Sequence, residues 1–386
     1  MHEIVVLGAG YAGLTAAVSL AARTRRGQDV RITVVNAGER FTERLRLHQV
    51  ASGQRLADLR IPELLEGTGV ELVCGWVTGI DAAAQTVRVD DERVLAYDTL
   101  VYALGAVTDT AAVPGVDHHA HTLDSAGGAE LLARRLGELG TGTVAVCGSG
   151  LTGVEAAAEI AEQHPELDVV LLGRSEPGHM LGSNAKAHLD AALERLRVRV
   201  RSGVEIVKVL PDSVHLAGGE SVAAELVLWT SGVRVSPLAA AAGLEVDERG
   251  RIVTDAALRS VSHPQVYAIG DAAAIRQGYG ILHGTCQSGI PTGVHAAASI
   301  VRELNGKRPK AFRFGYIHIP VSLGRRDAVV QFTRPDNSPR RWCLTGRSAA
   351  WYKETVSSAF WPSLRWMRTM PSSGSFAWRR GGRYTR

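Results

Sequence analysis

Cysteine is scarce in this chain of 386 residues. Its four cysteines, Cys74, Cys147, Cys286 and Cys343, stand far apart with no Cys-x-x-Cys pair. That excludes a disulfide scaffold, a cysteine-rich zinc module and a sequence-local redox dithiol, and it points to a reducing compartment. Long apolar runs are missing too, so no membrane-spanning helix is expected. The apolar start, residues 4–22, lacks a basic leader and is cut by Gly8, Gly10 and Gly13. It reads as strand, turn and helix rather than a signal peptide. His118, His119 and His121 have no carboxylate or thiol at ligand spacing, so they read as a loop and no metal is expected. No RNA-binding fold accompanies the basic tail Arg379-Arg-Gly-Gly-Arg383, and no nucleic-acid partner is expected. With 45% hydrophobic and 21% charged residues, the chain is not mainly disordered.

Glycine is what the chain has in excess: 42 residues, well above the usual ~7%. No triplet repeat accompanies them, which excludes collagen and leaves turns and close backbone approaches. Two clusters stand out. Residues 4–7 form an apolar strand pattern, followed by Gly8-Ala-Gly-Tyr-Ala-Gly13, a helical pattern and a second strand over 30–35. The order recurs 140 residues later: strand 143–147, Gly148-Ser-Gly-Leu-Thr-Gly153, helix 154–163, strand 168–172. A lone G-x-G-x-x-G says little; one between a strand and a helix is a dinucleotide cradle. Gly8 and Gly148 would allow the tight turn, Gly10 and Gly150 the approach of a pyrophosphate, and Gly13 and Gly153 close helix–strand packing. The helix N-terminus then faces the phosphates with free N–H groups.

Further strand patterns lie at 72–77, 86–89, 99–104, 226–229, 265–269 and 328–332, with a helix over 293–304. Pro114-Gly115 reads as a domain crossing. The fold class expected is α/β, two nested Rossmann-like FAD- and NAD(P)-binding domains with a small C-terminal α+β segment. The FAD-binding domain would take residues 1–114 and 235–309, the NAD(P)H-binding domain 115–234, and a basic interface segment 310–386.

Two cradles, together with the apolar strand Gln265-Val-Tyr-Ala-Ile-Gly-Asp271, resemble the two-dinucleotide-binding-domain flavoproteins. Within that group the chain resembles type II NADH dehydrogenase over roughly residues 3–370. The ferroptosis suppressor and sulfide:quinone oxidoreductases are further away. Phe41 with His48-Gln-Val-Ala-Ser-Gly53, the run Gly148–Glu159 and Ser322-Leu-Gly-Arg-Arg326 carry the likeness. The lack of Cys-x4-Cys after the first unit separates the chain from disulfide reductases. The resemblance implies a bound FAD and a travelling NAD(P)H. It places His48, Gln49, Val77, Gly105, Gly232, Gly270, Asp271 and Gln287 beside Gly8, Gly10, Gly13, Gly148, Gly150 and Gly153 in the cofactor-binding set. Glu155 would lie by the nicotinamide, orienting its amide or relaying a proton, or else complement the helix dipole. Glu159 reads as structural.

Three departures shape the expected chemistry. Asn36 replaces the acidic residue for the FAD ribose, and its amide still accepts a hydrogen bond. Gly173 replaces the acid of the second unit and is followed by Arg174 and Ser175. A carboxylate would repel a 2′-phosphate where Arg attracts it, which favours NADPH; a solvated Arg at a strand end is the alternative. Pro291-Thr292 stands where quinone-linked relatives carry Gln-Gln. The electron acceptor is therefore open among a quinone, a small molecule and an acidic carrier protein such as a ferredoxin, and a non-catalytic NAD(P)H sensor is a further alternative. Cys147 reads as core and Cys286 as a thiol without a redox partner.

Charge is divided unevenly. Residues 302–386 hold 18 basic and 4 acidic residues, whereas residues 1–301 hold 25 and 35. The basic end also has five of the seven tryptophans: Trp342, Trp351, Trp361, Trp366 and Trp378. Tyr352, Val356, Ala359 and Phe360 would share one helical face, with Leu364 and Met367 on a second short helix. This suits an interfacial helix pair on an anionic membrane surface, with a homodimer contact or a fold-back onto the FAD domain as alternatives. The expected location is cytoplasmic, peripheral at the inner face of the membrane. Residues 372–386 read as disordered.

Overall fold

Apolar strand runs separated by glycine turns fold here into two parallel sheets. The structure, a computed structural model, describes residues 1–25 and 29–371, so the expected disorder of 372–386 lies outside the described residues. Six helices position the site: α1 (Tyr11–Thr24), α2 (Leu47–Ala51), α3 (Leu151–Gln163), α4 (Cys286–Leu304), α5 (Gly346–Ser358) and α6 (Phe360–Met367). The first sheet runs in the order Val266–Ala268, Thr99–Tyr102, His2–Leu7, Val30–Asn36, Val70–Cys74, all parallel. The second runs Arg199–Ser202, Leu167–Gly173, Gly142–Cys147, Leu226–Trp229, Ala120–His121, again parallel. Parallel strands covered on both faces read as apolar throughout, and the central strands of both sheets are buried.

The nesting is visible in the chain path. The whole second sheet is inserted between two neighbouring strands of the first, Thr99–Tyr102 and Val266–Ala268. The outgoing and returning crossovers, Ala106–Thr108 and Val233–Val235, pair antiparallel. After α4, an antiparallel meander of His318–Ser322, Ala328–Thr333 and Pro339–Thr345 leads into α5 and α6. The fold is thus the expected α/β arrangement of two Rossmann-like units with a small C-terminal α+β segment.

Several element boundaries differ from those expected. The strand expected over 72–77 ends at Cys74, and a separate strand begins at Val77. Asp90 accepts the Trp76 N–H at 2.7 Å and a side chain on Gly75 would strike that carboxylate, so the chain turns there. The helix expected to begin at 293 starts at Cys286 instead. Thr285 and Ser288 form a capping box, and Pro291 is carried inside the helix. Pro normally breaks a helix interior by removing one hydrogen bond; here tertiary packing overrides that rule. α3 starts at Leu151, which puts Glu155 in its second turn rather than its first. The helix-dipole reading of Glu155 weakens accordingly, because the dipole acts within the first turn.

The C-terminal helices are rotated from the expected face. α5 buries Ala349, Lys353 and Ser357, spaced i, i+4, i+8, while Val356 is exposed. On α6, Phe360, Trp361, Leu364 and Met367 enter the core of the first Rossmann unit. Phe360 and Trp361 lie 5.3 and 5.6 Å from the Phe41 ring, and Tyr11 at the start of α1 packs on Phe360 at 4.5 Å. The fold-back alternative therefore holds for α6, and Trp361 is not free to enter a bilayer.

Candidate functional site

Both glycine turns have the geometry that a pyrophosphate cradle requires. Gly8 has φ +93°, and a Cβ there would lie 2.6 Å from the Ala103 carbonyl oxygen. A Cβ on Gly13 would come within 1.9 Å of Gly8 O, so only glycine lets α1 close onto its strand. Around Gly10 a Cβ would meet nothing within 4 Å, which leaves the helix N-terminus open to a ligand. The second turn repeats this. Gly148 has φ +125°, a Cβ on Gly153 would lie 1.8 Å from Gly148 O, and Gly150 is open. The residues present fit two dinucleotides.

The polar residues around the first cradle divide into free and engaged groups. Asp271, in the turn after strand Val266–Ala268, receives no hydrogen bond from the described residues, so its oxygens are available to ligand hydroxyls. Burial raises its pKa, although Arg44 and His283 oppose this. Gly270 adopts φ +65° and approaches Ala12 of α1. Asn36 is engaged: its Oδ1 accepts the Ala9 N–H at 3.0 Å and its Nδ2 donates to Gly38 O at 2.7 Å. The amide expected at a ribose thus staples the glycine turn. Gln287 is engaged as well, since its Nε2 donates to His318 O and its Oε1 accepts the Ile317 N–H, both at 2.8 Å. Its amide anchors the C-terminal strand to α4. The buried Thr292 accepts the Gly270 N–H at 3.1 Å, so Pro291-Thr292 supports the Gly-Asp turn. Gln49 is buried, and its Oε1 accepts from Arg46 at 3.0 Å. Val77 opens the small antiparallel sheet beyond Cys74, and Gly105 and Gly232 take positive φ on the two crossovers. Cys286 is the first residue of α4, and burial pushes its thiol up to about 12, so it stays protonated. Among the described residues no metal-binding cluster forms; His118 and His119 end the short helix Val116–His119 and His121 lies on the edge strand Ala120–His121, so a helix and a strand stand where a loop was expected.

Glu155 stands at a junction of three parts of the chain. Its Oε1 accepts the Ser322 N–H at 3.0 Å and pairs with the ammonium of Lys353 from α5. Lys353 also donates to Ser322 Oγ at 2.6 Å and is only 7% exposed. On the other carboxylate oxygen lies His48 of α2, with Nδ1 3.8 Å away. Burial by itself would raise the Glu155 pKa; Lys353, His48 and the Ser322 N–H outweigh it and hold the carboxyl below its ordinary value. Burial presses His48 down to about 4, against the pull of Glu155, so its ring is neutral at pH 7. The His48 Nε2 finds no partner among the described residues. Sequence reasoning missed Lys353 entirely. Its one signal was a lysine at the centre of a small-residue face, Ala349-x3-Lys353-x3-Ser357.

At the end of strand Leu167–Gly173, Ser149 was missed as well. Its hydroxyl donates to Ser175 O at 2.6 Å, and a Cβ on Gly173 would fall 2.2 Å from Ser149 Oγ. No acidic side chain fits there. Arg174 and Ser175 are exposed beside it, and Arg174 has no ion-pair partner among the described residues.

Comparison with known proteins places this geometry. Residues 2–299 match the family model described as pyridine nucleotide-disulphide oxidoreductase. A NADH dehydrogenase-like protein of Mycobacterium tuberculosis is 32% identical over 352 residues, covering 85% of this chain and 87% of that protein. A type II NADH:quinone oxidoreductase of Staphylococcus epidermidis is 28% identical over 397 residues, covering 92% and 94%. In fold, the chain resembles NDH2 of Plasmodium falciparum solved with NADH, with a TM-score of 0.80 at 15% identity over 96% of this chain and 98% of that one.

Proposed function

Because the chain belongs to the pyridine nucleotide-disulphide oxidoreductase family, we propose that it oxidises NADPH in preference to NADH and reduces a quinone. It is an NAD(P)H oxidoreductase that works with FAD and a pyridine nucleotide. When bound, FAD supplies the capacity to accept a hydride and release electrons; the chain supplies binding, orientation and proton handling. Gly8, Gly10 and Gly13 with Asp271 hold the flavin nucleotide, and Gly148, Gly150 and Gly153 hold the nicotinamide nucleotide. Glu155 orients the nicotinamide end.

One observation carries the quinone reading. The C-terminal segment delivers Lys353 to Glu155 on the nicotinamide helix, with neutral His48 alongside. A paired ammonium and carboxylate suit an acceptor that takes up protons with its electrons. The absence of a Cys-x4-Cys dithiol removes the disulfide alternative. Donor choice rests on the second strand end: Gly173 leaves no carboxylate to repel a 2′-phosphate, and Arg174 is exposed beside it with no ion-pair partner among the described residues.

The surface of the C-terminal segment supports peripheral attachment to an anionic membrane. Trp342, Trp351 and Trp366 are 59%, 72% and 72% exposed among arginines. No helix of the described residues is long and apolar enough to cross a membrane. The same basic surface suits an acidic carrier protein. The deciding experiment is stopped-flow reoxidation of the NADPH-reduced holoprotein by ubiquinone-1, a plant-type ferredoxin and oxygen. Reoxidation fastest with the quinone is the expected result. Fastest reoxidation by ferredoxin overturns the quinone reading, and uniformly slow reoxidation favours an NAD(P)H sensor.

A further inference from the structure

Three acids, Glu155, Glu159 and Glu162, follow one another along α3 at spacings of four and three residues, which aligns them on one face. Glu155, half-buried, pairs with the buried Lys353. Glu162 lies half-buried at the far end, where its Oε2 accepts the Arg325 N–H at 2.6 Å. Between them Glu159 is fully buried. Its Oε1 accepts from the Gln54 amide and lies 3.9 Å from Arg325 Nε, while its Oε2 has no partner among the described residues. Gln54 is half-buried and Arg325 is exposed, so these two form the rim between Glu159 and water.

A buried carboxyl with an unpaired oxygen is a cost to the fold, because desolvation is not repaid. Its helix neighbours Ala156, Ala157, Ala158 and Ala161 show that small apolar residues are accommodated on this helix. Burial raises the Glu159 pKa to about 7. The Gln54 hydrogen bond, Arg325 and Lys353 act against burial, and Glu162 acts with it. The groups acting on it are Glu162 of α3, Gln54 of the loop after α2, Arg325 after strand His318–Ser322, and Lys353 of α5, with Glu155 one turn before it on α3. At neutral pH such a group exchanges a proton in either direction with little driving force needed.

We propose that Glu159 is a relay residue that carries protons between water at the Gln54–Arg325 rim and the Glu155–Lys353 pair. The inference deepens the proposed function and rests on it in one respect, that the acceptor consumes protons. The balance is NAD(P)H + H⁺ + A → NAD(P)⁺ + AH₂. The donor gives a hydride, which is two electrons and one proton; the second proton comes from water. In the relay each carboxyl releases a proton as the next one gains it, and no electrons move.

The test separates the two half-reactions of the holoprotein. Hydride transfer from NADPH needs no proton from water, whereas reoxidation by dichlorophenolindophenol, a soluble two-electron and two-proton dye, does. Glu159→Gln should slow reoxidation by about tenfold or more at pH 7 and remove its pH dependence near neutrality, with a far smaller effect on anaerobic reduction by NADPH. Glu159→Asp, or added formate with Glu159→Gln, should restore part of the rate. Independently of turnover, an infrared carboxyl band of the wild-type protein should titrate near pH 7 and be absent in Glu159→Gln. Equal slowing of both half-reactions, unchanged reoxidation, or no band titrating between roughly pH 6 and 8 overturns the relay. If the wild type is reoxidised by the dye but by no quinone, the acceptor reading falls instead, and the dye experiment still decides the relay.

Discussion

Lys353 reaches Glu155 across 198 residues of sequence, and that contact helps tie the C-terminal segment to α3. Such pairs decide behaviour at the scale of single residues, and two measurements follow there. Arg174→Ala should raise KM for NADPH by about ten- to hundredfold and leave KM for NADH nearly unchanged, since a charge-assisted contact contributes about 1.5–3 kcal/mol. Steady-state kinetics with both donors checks this, and equal effects would show that Arg174 is merely solvated. The second measurement concerns stability. The pKa of Glu159 rises on folding, from 4.5 to about 7. Its favourable contribution is therefore complete below about pH 4.5 and lost as pH rises through 7. Glu159→Gln should gain stability relative to the wild type across that window, by roughly 3 kcal/mol at most. His48 runs the other way, because its pKa falls on folding, but it is present in both proteins and cancels. Denaturant melts at pH 5 and pH 8 decide it, and a pH-independent difference would refute the expectation.

At the scale of elements, the two glycine turns separate folding from binding. Gly13 and Gly10 serve different ends within one motif, and alanine at each should show it. Gly13→Ala places a methyl 1.9 Å from Gly8 O and should disrupt the unit itself. Gly10→Ala meets no protein atom within 4 Å, so the melt of the apoprotein should change little, by about 0.5 kcal/mol, while FAD affinity drops. Calorimetry of apoprotein and a flavin titration distinguish these outcomes; retained FAD affinity in Gly10→Ala would remove Gly10 from the cradle. The C-terminal helix α6 is an element whose sequence suggested a membrane and whose packing is internal. Leu364→Ala should cost about 2–5 kcal/mol in a denaturant melt, as for other buried leucines. A cost near zero would mean that α6 detaches in solution. Truncation after Gly346 removes this packing too, so any lost membrane binding must be read against lost stability.

Across the whole molecule, a basic, tryptophan-bearing end sits on an acidic body. Residues 302–386 carry 18 basic against 4 acidic residues. At about 1 kcal/mol per basic residue near an anionic surface, a few suffice for reversible attachment. The protein should co-sediment with phosphatidylserine vesicles and be released by high salt. Trp351→Ala with Trp366→Ala should weaken binding, because both rings are exposed. Trp361→Ala should lower stability instead. Binding to neutral vesicles of equal strength would refute the electrostatic account.

Much of this was legible in the sequence because it is local. A glycine turn between a strand and a helix fixes backbone shape within six residues, so both glycine turns, the parallel sheets and the α/β class followed from spacing and apolar runs. The empty acidic position at Gly173 was equally visible. Tertiary structure decided what depends on distant neighbours. Only packing shows that Pro291 lies inside a helix, that Asn36 and Gln287 spend their amides on the protein's own backbone, and that α6 is buried. Only packing brings Lys353 to Glu155, and Gln54 and Arg325 to Glu159. The reason is physical: periodicity reports which face of a helix is apolar, whereas the charge and proton affinity of a buried group depend on what stands opposite it. That partner comes from another part of the chain, at a separation that no local pattern encodes.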